Sequence, residues 1–162
     1  MNAILKWLEA TALATEIREN ELLFPWVESV HVLTISAVVG LISVVDLRLL
    51  GLASMDRAAD KLAREVLPFT WIAFAFAAAT GMLLFSAKAS GYAGNFFFRG
   101  KLVLLFLAGL NMVIFHAFAG RGMAAWSATK KPPPAARIAG GLSLLIWIGV
   151  VVCGRWIGFT LH

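Results

Sequence analysis

Two histidines lie inside apolar stretches of this chain: His31 in FPWVESVHVLTISAVVGLISVVDLRLL and His116 in GKLVLLFLAGLNMVIFHAFA. Neutral imidazole is a common ligand of haem iron. An ionisable group at membrane depth is costly, which makes a functional role the default reading. The competing reading is a structural histidine hydrogen-bonded to a neighbouring helix. At about 100° per residue, Glu28, Thr34 and Asp46 point within about 60° of His31, a polar stripe that should face other helices. Glu28, one turn before His31, is a candidate proton relay. Gly109 and Gly120 lie within about 40° of the direction of His116, and Met112 sits one turn before it. Small residues beside a histidine leave room for a flat cofactor, or merely permit close helix contact.

The elements that must position these groups are membrane helices. The chain has 162 residues, 60% of them hydrophobic and 14% charged, with mean hydropathy +0.85. A soluble domain is roughly 45–50% apolar, and so short a chain has no core large enough to hide this excess. Four spans are predicted, at about 24–48, 68–87, 100–119 and 138–160. Each has the roughly 20 apolar residues a crossing needs. Backbone groups in lipid must be paired internally, and no alternating barrel pattern occurs, so the spans are helices. The expected fold is an all-α, antiparallel four-helix membrane bundle in a single domain. An N-terminal interfacial helix is expected within residues 1–23, and a short amphipathic helix in the connection 51–67. Pro68 falls at the first turn of the second span in this scheme. The stretch KKPPP reads as a stiff, extended linker before the fourth span. Gly154 and Gly158 form a GxxxG close-packing pattern, within the subunit or between subunits.

Lys and Arg set the expected orientation. The connections 51–67 and 120–137, with their flanks, carry eight such residues and the opposite side six. Basic residues favour the cytoplasmic side, which puts both termini on the periplasmic side. The formal net charge of +5 fits contact with anionic lipid rather than nucleic acid, since no basic stripe with interleaved aromatics occurs. Cys153 is alone, which excludes an intrachain disulfide, and no CxxCH or CxxC motif provides for c-type haem, zinc or an iron–sulfur cluster.

Spans one and three run in the same direction, with His31 near the start of one and His116 near the end of the other. At about 1.5 Å per residue they differ in depth by on the order of 17 Å. One haem shared by both is therefore not expected; two, one per leaflet, fit better. Met82 stands at a depth like that of His31 and is a candidate second ligand, with core filler as the competing role. His162 is a further candidate at the same side. Arg155 and Lys101 on the outer side, and Arg48, Arg121 and Arg137 on the inner, are candidates to hold haem propionates. Ordinary snorkelling to headgroups competes for Lys101 and Arg121.

The segments FPWVESVH and DLRLLG, LPFTWIAF and TGMLLF, then NFFFRGKLVLL and NMVIFH carry a resemblance over roughly residues 24–126. The chain resembles small bacterial four-helix membrane proteins related to the b-type cytochrome and copper-resistance D superfamily. The resemblance implies His31 and His116 as haem ligands, with electrons passing between quinones and partners; some such cytochromes oxidise superoxide. This sequence departs from the usual pattern of two histidines per haem. The expected protein is a homo-oligomeric haem b cytochrome of the bacterial inner membrane, with two haems per subunit and quinol as donor. The rival readings are a copper-handling protein using His31, Met82, Met112 and His116, and a cofactor-free accessory subunit.

Overall fold

A computed structural model of the chain describes residues 2–118, 120, 123, 126 and 132–161. His162, Arg121 and the Lys130–Lys131 pair of the expected linker lie outside these residues. The described residues form seven helices and no strands. They are α1 (Asn2–Glu9), α2 (Ala12–Glu19), α3 (Leu23–Leu50), α4 (Ala59–Ala87), α5 (Ala89–Gly94), α6 (Phe96–Ala117) and α7 (Pro134–Thr160). Helices α3, α4, α6 and α7 are long and apolar enough to cross a membrane. The protein is a four-helix membrane bundle.

The spans are longer than the sequence suggested. At about 1.5 Å per residue, the 28 residues of α3 reach about 42 Å, well beyond a hydrocarbon core of about 30 Å. It ends at Gly51, whose φ of +78° is the left-handed conformation that glycine adopts without penalty. The N–H of Leu52 then donates to the Leu47 carbonyl at 2.9 Å, closing the helix end.

Two expectations change in detail. The amphipathic stretch after the first span is not a separate helix. It is helical from Ala59 and runs through Pro68 into the second span as one helix, α4. Its polar face carries the Arg64–Asp60 ion pair and Arg57–Glu65 at 3.4 Å, while Ala59, Leu62 and Ala63 are buried. Pro68 is thus inside a helix, where it lacks the N–H that would bond the Arg64 carbonyl. The N-terminal segment is likewise two helices rather than one. Thr11 caps the second by accepting from the Ala14 N–H at 3.4 Å.

The α1–α2 pair sits at the end of the bundle where α4 passes to α6. Arg18 donates to the Glu9 carbonyl at 3.1 Å and the Ala87 carbonyl at 3.4 Å, and Glu9 accepts from the Ser90 N–H at 2.7 Å. Ile4 and Trp7 remain exposed, giving α1 an apolar face suited to an interface. The C-terminus reaches the same end, where Asn95 donates to Thr160 Oγ1 at 2.9 Å.

Packing among the spans is uneven. Helix α3 packs on α4 and α7, and α7 packs on α6, but α4 and α6 make no comparable contact with each other. Val38, Ile146, Trp147 and Val150 form the core where α3 meets α7. The bundle is therefore open along one side, between α4 and α6, beyond the end where Phe85 of α4 stacks on Phe98 of α6.

Candidate functional site

Of the two histidines, His31 faces α4. Its Nδ1 lies 3.0 Å from Thr80 Oγ1. The single hydroxyl proton of Thr80 goes to the Phe76 carbonyl at 2.7 Å. With the Thr80 proton on that carbonyl, His31 Nδ1 donates and Nε2 keeps the lone pair. The ring rests on Gly81, where an added Cβ would stand 3.1 Å from His31 Cε1. His116, in the last turn of α6, uses the same device. Its Nδ1 donates to the Met112 carbonyl at 2.8 Å, again leaving Nε2 as acceptor. Anchoring one ring nitrogen on a backbone or hydroxyl oxygen fixes the tautomer that metal ligation needs.

The surroundings of the two rings differ. His116 lines a cavity of about 200 Å³ in the open side of the bundle, with Trp71, Gly109, Met112 and Trp147 among its walls. A shallower hollow of about 370 Å³ adjoins it, sharing Leu67, Trp71, Met112 and His116. Together the two fall within the size range of cofactor sites, about 300 to 1,000 Å³. Nothing lies within 4 Å of where a Cβ would stand on Gly109. The space around His116 would admit a flat, apolar group, with the imidazole to hold it.

The surroundings of His31 fit haem less well. Met82 does not turn to it; that side chain is 67% exposed on the outside of α4. The places facing His31 belong to Thr80 and Gly81 instead.

The two outer-side cations point in different directions. Arg155 stays outside, its guanidinium 4.7 Å over the ring of Phe159. Lys101 turns inward toward α7, with Nζ 3.7 Å from where Gly154 would carry a Cβ. Gly154 of the GxxxG pattern therefore admits a lysine chain within the subunit, while Gly158 faces open space. Glu28 is exposed, and its charge is felt by Tyr92 on α5.

The histidines are far apart. His116 shares its cavity with Asp46 and Leu49, and Asp46 is 15 positions beyond His31 on α3, about 22 Å along the axis. The soft ligands of the copper reading are split in the same way, Met112 with His116 at one end, and Met82 and His31 at the other. Among the described residues no group of three His, Cys, Asp or Glu side chains converges on a metal site.

Sequence reasoning noted Asp46 but assigned it no role. Asp46 is 5% exposed and lines the same cavity. The Ser143 hydroxyl hydrogen-bonds its carboxylate, and Oδ2 has no partner among the described residues. Its signal in the sequence was an acid within an otherwise apolar run.

Residues 5–160 match a family of unknown function (DUF6644), and the chain belongs to it. No curated protein and no solved structure matches the chain.

Proposed function

We propose that this member of the family is a haem b cytochrome of the bacterial inner membrane, with quinol as electron donor and His116 as the residue that would hold the haem. The observation that carries the reading is His116 itself. It is an intramembrane imidazole with Nδ1 committed to the Met112 carbonyl, beside an apolar groove with space at Gly109. A haem bound there supplies a one-electron couple within the bilayer. The chain's part is to hold the imidazole in one tautomer, wall the site with Trp71 and Leu67, and leave the edge open to lipid. One haem at His116 fits the side chains better than two, because Met82 faces away from His31. Both termini are assigned to the periplasm, since Arg57, Lys61, Arg64 and Arg137 gather at the opposite end. Association of copies is favoured by α6, which buries none of its own residues.

The test is the visible spectrum of the detergent-purified protein, oxidised and then reduced, with iron analysis. A Soret band and about one iron per chain are expected. Replacing His116 by Ala should remove the band, and Gly109→Leu should remove it by filling the groove while the helix content stays unchanged. His31→Ala should keep it. No Soret band after expression with ample haem supply, or its loss only in His31→Ala, overturns the reading.

A further inference from the structure

The cavity at His116 has a polar floor that haem ligation does not use. It runs along α3 from Val38 to Leu49, eleven residues or about 16 Å, and opens sideways between α4 and α6. Its walls are apolar and aromatic, with Trp71, Phe74, Phe115 and Trp147. Three polar side chains from three helices meet there: Asp46 of α3, Asn111 of α6 and Ser143 of α7.

The buried unpaired atom of this floor is an acceptor. Asp46 Oδ2 is buried and has no partner among the described residues, while the Ser143 hydroxyl is engaged on the same carboxylate. Asn111 donates one of its two Nδ2 protons to the Ala139 carbonyl at 3.0 Å, and its Oδ1 is a further acceptor. Thr70, at the cavity edge, gives its proton to the Val66 carbonyl. An acceptor left bare in a dry interior costs free energy, and a ligand that donates to it recovers that cost.

We propose that this floor binds the head of a lipid-soluble molecule that donates hydrogen bonds, as an aromatic diol or a protonated amine does. Asp46 Oδ2 accepts the first bond and Asn111 Oδ1 the second. The aromatic walls take the ring or cationic face of the head, and an apolar tail leaves through the α4–α6 opening into the bilayer. A molecule whose head only accepts leaves Asp46 Oδ2 unpaired and is disfavoured. If the haem reading holds, the diol is the electron donor of that same site. The binding itself does not require haem.

Calorimetric titration of the purified protein tests this with three probes of equal tail: a decylhydroquinone, its oxidised decylquinone and decylamine. The hydroquinone, the amine or both should bind about tenfold or more tightly than the quinone. Which of them does so identifies the source of the donor. Asp46→Asn should weaken the donor-headed probe by about tenfold and leave the quinone unchanged. Equal affinity for hydroquinone and quinone with no binding of the amine, or unchanged affinity in Asp46→Asn, overturns the proposal. The comparison within the unaltered protein stands even if the variant fails to fold. A missing Soret band would sink the haem reading alone, because calorimetry reads this site without it.

Discussion

Tyr92 on α5 stacks into a cluster with Phe85 and Phe98, its ring centroid 6.2 Å and 5.3 Å from theirs. Burial first, and the charge of Glu28 second, push its hydroxyl above the ordinary tyrosine range. The fold therefore favours the protonated form. The stability this represents is intact below the unfolded value of about 10 and is lost as pH rises through the higher folded one. Tyr92→Phe should flatten the decline in melting temperature above about pH 10 relative to the parent protein. Equal slopes would show that the group carries no linkage. Single residues also show where reading the chain stops. His31, Asp46 and His116 stand out because charge inside an apolar run is visible in one dimension. That Thr80 and Gly81 face His31, while Met82 does not, depends on the rotation of α4 against α3, which no spacing on either helix encodes. The inward turn of Lys101 has the same origin: Gly154 creates a recess that only the assembled α6–α7 pair reveals.

At the level of elements, the spans were legible because length and hydropathy are local. Their ends were not. Pro68 reads as the start of a helix, yet α4 runs through it, since the buried side chains of Ala59, Leu62 and Ala63 hold the preceding turns in place. The crossing of α3 and α7 rests on Gly140. A Cβ there would stand 2.9 Å from the Asp46 carbonyl oxygen and 3.0 Å from Leu49 Cβ. The first neighbour is backbone and has little room to move, so the helices themselves would have to separate. Gly140→Ala is expected to destabilise the bundle by about 1–3 kcal/mol, as overpacking does, measured by denaturation in detergent. Gly109→Ala, which meets open space, should not.

For the whole molecule, the bundle is closed on three sides and open on the fourth. Four apolar runs imply four packed spans, but which pair stays apart is a property of the assembly, and the sequence carries no mark of it. The lateral opening between α4 and α6 has a consequence for dosage. A molecule that enters through it is drawn from the bilayer, so its chemical activity is set by its mole fraction in lipid. Diluting it among more micelles weakens occupancy even when its total molar concentration is constant. An affinity stated per litre of water should therefore fall in proportion as detergent is raised, while the affinity stated as mole fraction in the micelle holds steady. A titration repeated at two detergent levels would separate the two. In a cell, the same opening ties the protein's response to the composition of its membrane rather than to that of the surrounding fluid.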